Sequence, residues 1–184
     1  MKNKLAIFDL DGTLFDTKQV NYQAYRDALG RYSIELSEEY FFSNCFGRYY
    51  KDFLSEIVKD TLLIEKVHLV KKNIYSKMLD KSKKNIHLFN FIEAIREDYY
   101  IAIVTTASRK NTMDILEYYG YETYFDMIVT AEDVINMKPY PDGFLYVMKR
   151  FNINAENTSI FEDSPIGIEA AKDTGAAVFT VNQF

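Results

Sequence analysis

Two aspartates separated by one residue stand near the start of the chain, in the stretch Asp9-Leu10-Asp11-Gly12-Thr13. They follow the apolar run Leu5-Ala6-Ile7-Phe8, which has the composition of a buried strand. In open α/β sheets, ligands bind at the carboxyl ends of the strands. One carboxylate at such a place can attack an electrophile or hold a metal while the other gives and takes a proton. An Asp-Gly pair between apolar runs is also typical of a hairpin turn, so this motif alone leaves both interpretations open.

A second polar stretch, Thr105-Thr106-Ala107-Ser108, follows an apolar run and precedes a helix-like segment. Hydroxyl side chains favour helix N-caps, and Ser108 is expected to be one. Capping does not need three hydroxyls, however. A hydroxyl and backbone amides beside a helix N-terminus can hold an anion, which makes this stretch a candidate anion site.

A lysine stands in the loop Lys138-Pro139-Tyr140-Pro141. Loop lysines are usually exposed to solvent. Two prolines within the next three positions stiffen the backbone around this one. A lysine held in place can neutralise a phosphate and a carboxylate together.

A last acidic motif, Glu162-Asp163-Ser164, follows an apolar run and precedes a helix that Pro165 would begin. Acids in the first turn of a helix are favoured by the helix dipole. Adjacent carboxylates at a strand end are also suited to a hard cation, which prefers oxygen ligands and keeps positions open for water and phosphate.

Hydrophobic periodicity predicts short strands that alternate with helices. The predicted strands are Leu5–Phe8, Tyr100–Val104, Met127–Val129, Thr158–Phe161 and Ala177–Val181. The predicted helices are Phe89–Glu97, Arg109–Tyr119, Gly143–Phe151 and Pro165–Thr174. This alternation predicts an α/β fold with a parallel sheet. The stretch from about Lys18 to Lys84 contains no convincing strand and is expected to be a helical insertion, with hinges near Asp16-Thr17 and Lys81 to Asn85.

Composition and net charge argue against several classes of function. The 184 residues carry a formal net charge of -5, which disfavours broad nucleic-acid binding. Apolar runs are too short to span a bilayer, so we expect a cytoplasmic protein without membrane contact. The single Cys45 is expected to be a buried, inert thiol. With His68 and His87 it has no spacing typical of a zinc site or of Cys-His catalysis.

Taken in this order at successive strand ends, the four motifs resemble those of the haloacid dehalogenase-like (HAD) hydrolase superfamily. The resemblance covers nearly the whole chain. The helical insertion is similar to the small α-helical cap of the subfamily that contains phosphoglycolate phosphatases and β-phosphoglucomutases. The resemblance implies a Rossmann-like core domain over residues 1–16 and 85–184, with the cap domain over residues 17–84.

The resemblance also implies catalytic roles. Asp9 would be the nucleophile that forms an aspartyl-phosphate, and Asp11 would protonate the leaving oxygen and then activate water. Thr105, the backbone around Thr106, and Lys138 would hold the phosphoryl group. Such a site agrees with phosphoryl transfer, which depends on positioning and charge neutralisation.

The implied cofactor is Mg²⁺. It would be held by Asp9, the main-chain carbonyl of Asp11, and Asp163, while Glu162 would bind it directly or through water. The expected partner is a small phosphorylated molecule, and the expected assembly is a monomer or weak homodimer.

The resemblance leaves several functions open. Asp11 argues against dehalogenation, because dehalogenases of the superfamily lack an acid there. We expect a Mg²⁺-dependent phosphatase acting on a small phosphometabolite. One alternative is a phosphomutase, although Asn21 stands where β-phosphoglucomutases carry a histidine. Another is a non-catalytic regulatory module that binds phosphate. In the cap, Asn21 and Arg48 are candidates for substrate specificity, with Arg48 facing a second anionic group.

Overall fold

A central parallel sheet and the helices around it make up the computed structural model, which describes residues 2–182 and 184. The strands among these residues are β1 (Lys4–Phe8), β2 (Phe15–Asp16), β3 (Lys83–Lys84), β4 (Tyr99–Val104), β5 (Met127–Val129), β6 (Thr158–Glu162) and β7 (Ala177–Thr180). The α-helices are α1 (Lys18–Gly30), α2 (Glu38–Asn44), α3 (Tyr50–Ile57), α4 (Thr61–Ile74), α5 (Ile86–Ile95), α6 (Arg109–Tyr119), α7 (Asp142–Phe151) and α8 (Pro165–Lys172).

The large sheet has five strands in the order β5-β4-β1-β6-β7, and all neighbouring pairs are parallel. The predicted α/β fold and its five strands are confirmed. Strand β1 lies at the centre, where Phe8 pairs with Ile103 of β4 and with Phe161 of β6. This register places the carboxyl ends of the three central strands side by side, and the polar motifs of the sequence follow those ends.

Apolar side chains cover both faces of this sheet. On one face, Phe8 stacks on Phe161 with ring centroids 4.6 Å apart. On the other face, Ile7 and Phe144 of α7 belong to a second buried cluster. Strands that are buried on both faces have nearly continuous apolar sequences, which explains why short apolar runs located them.

The helices of the insertion, α1 to α4, have an apolar cluster of their own. Tyr25 of α1 contacts Phe53 of α3 edge to face, with ring centroids 5.0 Å apart, and Val67 of α4 is fully buried in the same cluster. The insertion ends in a 3₁₀ turn, Tyr75–Lys81, whose Tyr75 packs into the cluster of the sheet instead. This separate cluster supports the division into a core and a cap that we predict from the sequence.

The structure contradicts one expectation for this insertion, which was predicted to be free of strands. Lys83–Lys84 (β3) pairs antiparallel with Phe15–Asp16 (β2) in a two-stranded ladder. Two residues are too few for an alternating pattern, so periodicity could not reveal the ladder. It lies at the two predicted hinges and joins both chain segments that connect the sheet to the insertion.

Helix boundaries follow the capping residues. Helix α6 has the predicted bounds, and the Ser108 hydroxyl accepts the Asn111 amide as its N-cap. The sequence predicted that α5 begins at Phe89, but the helix begins at Ile86 because the Asn85 side chain caps it by accepting the Leu88 amide.

In the described part of the chain, no helix has both the length and the apolar character that crossing a membrane requires.

Candidate active site

The polar motifs meet at the carboxyl edge of the sheet, beneath the helical insertion. A cavity of about 70 Å³ opens there, between strand ends and insertion. The predicted site residues that line it are Asp9, Asp11, Asn21, Arg48, Thr106, Lys138 and Glu162. Two other predicted residues, Thr105 and Asp163, are not among its lining residues. They lie in the same strand-end segments as Thr106 and Glu162.

Lys138 is the buried cation beside Asp9. Its Nζ donates to Asp9 Oδ1 at 2.6 Å, to Glu162 Oε1 at 2.6 Å and to the Val104 carbonyl at 2.9 Å. Burial alone would lower the pKa of this lysine, but the two carboxylates outweigh burial and raise its pKa above the ordinary value. Lys138 is therefore charged, and all three of its donors are used in holding it against the sheet.

Asp9 follows the central strand and is also buried. Burial raises the pKa of its carboxyl well above the ordinary value, the Glu162 and Asp163 carboxylates raise it further, and Lys138 opposes both effects. Its Oδ1 is held by Lys138, whereas no described residue donates a hydrogen bond to Oδ2. One carboxylate oxygen is therefore anchored and the other is available for chemistry.

Asp11 is joined to the first turn of α1. Its Oδ1 accepts from the Thr17 hydroxyl and, at 3.2 Å, from the Asn21 side-chain amide. Thr17 occupies the N-cap position of α1, but its side chain makes no capping bond and contacts Asp11 instead. The position of the second aspartate is thus set by the insertion. Sequence reasoning identified Asn21 and missed Thr17, which stands at a hinge with an unused capping hydroxyl.

Asp163 packs against the turn that carries the first motif. Its Oδ1 accepts the Thr13 hydroxyl at 2.9 Å. A Cβ on Gly12 would lie 2.1 Å from Asp163 Oδ2, and Gly12 has a φ of 96°, so both space and backbone conformation require glycine here. The glycine of the first motif therefore lets its turn approach the acidic motif of β6.

The charges of the site do not balance among the described side chains. Three carboxylates, Asp9, Glu162 and Asp163, lie around the single ammonium of Lys138. Burial, with Glu162 nearby, raises the pKa of Asp163 to about 6. This excess of negative charge is the condition that a bound cation relieves.

Oxygen donors are suited to a hard divalent cation. In the described part of the chain, no group of three or more His, Cys, Asp and Glu side chains is arranged to hold a metal ion alone. Mg²⁺ does not need such a group, because it is usually bound through one or two carboxylates and keeps water and substrate phosphate as further ligands. The donors present therefore fit Mg²⁺ at a shared site.

Glu162 uses both of its oxygens to position neighbours. Oε1 accepts from Lys138, and Oε2 accepts the Ser164 amide at 2.8 Å and the Ser164 hydroxyl at 3.0 Å. Helix α8 passes directly over this carboxylate, since a Cβ on Gly167 would lie 1.8 Å from Oε1. In this arrangement Glu162 orients the lysine and the start of α8.

We expect Gly167→Ala to destabilise the protein, although alanine normally stabilises a helix by about 0.5–1 kcal/mol relative to glycine. The added methyl group must displace the Glu162 carboxylate from Lys138, which breaks a buried charged network and costs about 2 kcal/mol or more. Gly30→Ala is the matched control, because Gly30 also lies in a helix and nothing surrounds its Cβ position within 4 Å. Urea denaturation of both variants measures the difference, and equal stabilities would contradict this interpretation of Gly167.

The end of β4 forms the candidate anion site. The Thr105 hydroxyl is buried and accepts the Ala107 amide at 3.0 Å, which shapes the turn. Thr106, Ala107 and Ser108 line the cavity beside the N-terminus of α6. The structure thus places Thr106 on the cavity surface and Thr105 behind it.

On the insertion side, Arg48 lines the cavity but is already paired. Its guanidinium bonds to Glu56 at 2.7 Å and to the Asn44 carbonyl at 2.6 Å.

Lys71 also lines the cavity and was not among the residues identified from the sequence. This lysine is buried, donates to Asn111 Oδ1 of α6 at 3.0 Å, and has a pKa lowered by burial to about 8. Lys71 lies on the same face of α4 as buried apolar residues, a position that could have identified it.

Cys45 also lines the cavity and is buried and free. Burial raises the pKa of its thiol to about 11. The thiol is therefore protonated at neutral pH, in agreement with the expected inert role.

His68 forms part of the same wall. Its ring stacks on Tyr50 with centroids 3.5 Å apart, and its Nδ1 lies 3.3 Å from the Tyr25 hydroxyl. Burial, with Lys71 and Lys72 nearby, lowers the pKa of His68 to about 3. The imidazole is therefore neutral near neutral pH and cannot pair with a substrate anion.

This shift predicts a pH-dependent stability. The unfolded chain protonates His68 near pH 6.5 and the folded chain only near pH 3, so the free energy of unfolding falls as pH falls through this range. Between pH 6.5 and pH 5 the loss from His68 is about 2 kcal/mol. We expect His68→Gln to flatten the dependence measured by urea denaturation, with His87→Gln, at the exposed histidine, as the comparison variant. Parallel slopes for all three proteins would contradict the buried neutral state.

Comparison with known proteins gives a consistent result. The family model described as haloacid dehalogenase-like hydrolase matches residues 6–181. A phosphorylated carbohydrates phosphatase from Thermotoga maritima is 31% identical over 176 residues, which cover 92% of this chain and 80% of that protein. A fructose-1-phosphate phosphatase from Escherichia coli is 26% identical, with 92% of this chain and 91% of that protein covered.

Solved structures show the same fold. CbbY from Rhodobacter sphaeroides in complex with phosphate is 22% identical and superposes with a TM-score of 0.89. The match covers 100% of this chain and 88% of CbbY. A structure described as a putative β-phosphoglucomutase from Thermotoga maritima is 28% identical with a TM-score of 0.72, and 98% of this chain covers 87% of it.

Proposed function

The chain belongs to the haloacid dehalogenase-like hydrolase family and is a hydrolase of phosphate esters, and we propose that it is a Mg²⁺-dependent phosphatase of small phosphometabolites that works through a phosphorylated Asp9. The observation that carries this proposal is the buried pair of Asp9 and Lys138, with Asp11 on the same cavity. Relatives named as phosphatases of phosphorylated carbohydrates and of fructose 1-phosphate support the substrate class.

In the first step, Asp9 Oδ2 attacks the phosphorus atom. The new bond joins this oxygen to phosphorus, and the bond between phosphorus and the leaving oxygen breaks. Asp11 donates a proton to that leaving oxygen, so an alcohol departs. Lys138, which holds the other oxygen of Asp9, lowers the repulsion between the carboxylate and the incoming phosphate. The backbone amides of Thr106 and Ser108 stabilise the phosphoryl oxygens, whereas the Ala107 amide is bonded to the Thr105 hydroxyl.

In the second step, a water molecule attacks the phosphorus of the aspartyl-phosphate. Asp11, now ionised, takes a proton from that water. The bond between Asp9 and phosphorus breaks, which releases inorganic phosphate and restores both carboxyl groups to their starting forms. The bonds from Thr17 and Asn21 to Asp11 keep this acid and base in place.

Asp9, the main-chain carbonyl of Asp11, and Asp163 would hold Mg²⁺ in this proposal, and Glu162 would reach it through water while orienting Lys138. When bound, the ion supplies charge neutralisation for the phosphoryl oxygens and for the surrounding carboxylates. The insertion excludes bulk water from the cavity. We further propose that the protein works in the cytoplasm as a monomer or weak homodimer, without nucleic acid, and its net charge of -5 supports the last point.

Phosphate release tests the function. The panel contains an aryl phosphate, acetyl phosphate, phosphoglycolate, hexose phosphates and nucleoside monophosphates, each assayed with Mg²⁺ and with a chelator. We expect Mg²⁺-dependent release from at least one phosphometabolite and its loss on chelation. Absence of release from every compound would overturn the proposal.

The phosphomutase alternative makes a different prediction. In a mutase, the phosphoryl group of Asp9 passes to a sugar hydroxyl, so that a sugar bisphosphate forms in place of inorganic phosphate. Asn21 occupies the position at which β-phosphoglucomutases carry a histidine, and its side-chain amide donates to Asp11 and Thr17. An amide cannot serve as an acid or base, so this residue favours transfer to water.

A further inference from the structure

A second and larger cavity adjoins the candidate active site. Its volume is about 370 Å³, compared with about 70 Å³ for the first cavity. The two share four lining residues: Tyr50, His68, Thr106 and Ser108. Because Thr106 and Ser108 belong to the candidate anion site, the second cavity begins where the phosphoryl group would sit. Its volume lies in the range of about 300–1,000 Å³ that small-molecule sites occupy.

The helical insertion and the sheet domain each provide one wall of this cavity. Tyr49, Leu69 and Lys72 lie on the insertion wall, and Ala131 and Glu132 lie on the opposite wall. An ion pair between Lys72 and Glu132, at 3.4 Å, joins the two walls. Much of the lining is aromatic or aliphatic, with a few polar groups between, which is the usual character of a site for an organic ligand.

The charges of this lining disfavour an anion. The lining holds two carboxylates and one ammonium: Glu132 pairs with that ammonium, Lys72, at 3.4 Å, and Glu65 pairs with Lys51, outside the lining, at 3.3 Å. Glu132 also accepts the Arg109 amide at 2.9 Å, which fixes its position. Glu65 accepts the Tyr50 hydroxyl at 3.0 Å. No described side chain of the lining therefore offers an unpaired positive charge.

The side chains of this lining can bind the hydroxyl groups of a ligand. Carboxylate oxygens accept more than one hydrogen bond, so Glu65 and Glu132 can receive ligand hydroxyls beside their present donors. Tyrosine rings supply contact area for the carbon skeleton between those hydroxyls.

We propose that this cavity is the subsite for the leaving group and that it selects an uncharged, hydroxyl-bearing group over one that carries a second anion. The inference rests on the proposed phosphatase function, since the cavity can select a leaving group only where the first cavity transfers a phosphoryl group. The specificity-determining residues are Glu65, Leu69, Lys72, Ala131 and Glu132.

Two substrates of matched size test this selection. Sorbitol 6-phosphate ends in a hydroxymethyl group and 6-phosphogluconate ends in a carboxylate, while the carbon chain has the same length. We expect kcat/KM to be at least about tenfold higher for sorbitol 6-phosphate, with much of the difference in KM. Acetyl phosphate serves as an activity standard that does not need the subsite. If acetyl phosphate is not hydrolysed either, the phosphatase function fails and this inference with it; if it is hydrolysed and the matched pair reacts equally, only the subsite is overturned.

Two variants make the lining more positive by different routes. Leu69→Lys adds an ammonium to the insertion wall, and Glu132→Gln removes the partner of Lys72 while keeping an acceptor for the Arg109 amide. Each is expected to shift the ratio of the two kcat/KM values toward 6-phosphogluconate by about threefold to fivefold. Leu62→Lys is the control, because Leu62 is an exposed leucine of the same helix that lines neither cavity. An unchanged ratio in both Leu69→Lys and Glu132→Gln, or an equal shift in Leu62→Lys, would overturn the proposal.

Discussion

Replacing Asp9 with asparagine is expected to lower kcat for phosphate release by about 10⁴-fold or more. The amide has the shape of the carboxylate but is not a nucleophile, so no aspartyl-phosphate can form. The fold is expected to survive, because Lys138 keeps its bonds to Glu162 and to the Val104 carbonyl. Loss of the Asp9 carboxylate leaves Lys138 paired with the Glu162 carboxylate, so the substitution creates no unpaired buried charge.

Steady-state phosphate release with saturating Mg²⁺ measures this effect, and thermal unfolding verifies that the variant is folded. Asp27→Asn is the matched control: Asp27 is a partly exposed aspartate of α1 that pairs with Arg26 and does not line the cavity. It is expected to keep wild-type activity. A folded Asp9→Asn enzyme that retained more than about one part in a hundred of the wild-type rate would show that another group attacks the phosphorus.

Replacing Lys138 with methionine is expected to affect both stability and activity. The methionine side chain fills the space of the lysine stem but leaves the Asp9 and Glu162 carboxylates buried without their cation. Breaking a buried ion pair by removing one partner costs about 3–5 kcal/mol. Activity should fall as well, because the ammonium that lowers the repulsion between Asp9 and the substrate phosphate is lost.

Urea denaturation gives the free energy of unfolding, and Lys149→Met provides the comparison, since Lys149 is an exposed lysine of α7. A Lys138→Met protein whose unfolding free energy lay within about 0.5 kcal/mol of the wild type would contradict the buried network. Lower pH should narrow the deficit, because protonation of Asp9 removes one of the charges left unpaired.

Much of the sheet could be predicted from the sequence because its strands are buried on both faces. Leu5, Ala6, Ile7 and Phe8 are all fully buried, and a continuous apolar run is what such a strand requires. The ladder between β2 and β3 could not be predicted in this way. Asp16 and its partner Lys83 are 67 residues apart in the sequence, so only the folded chain brings them together.

The strand-end motifs of the site were identifiable for a similar reason. Asp9, Thr106, Lys138 and Glu162 follow strands or a proline-stiffened loop, and parallel strands place their carboxyl ends at one edge. Residues of the insertion were harder to find. Lys71 reaches the cavity only because α4 packs against α6, where Asn111 accepts its ammonium. That packing depends on how the insertion lies on the sheet, which no local pattern specifies.

The proposed mechanism requires that Asp9 becomes phosphorylated during turnover. The most direct measurement uses Asp11→Asn, which still has the nucleophile but lacks the base that activates water, so the intermediate should accumulate. The variant is mixed with radiolabelled acetyl phosphate and Mg²⁺, quenched in acid and digested to peptides. The proposed mechanism predicts label on the peptide that contains Asp9, and no label when Asp9→Asn is added to the variant. Label on another residue, or phosphate release by the wild type with no labelled Asp9 in any quenched sample, would contradict it.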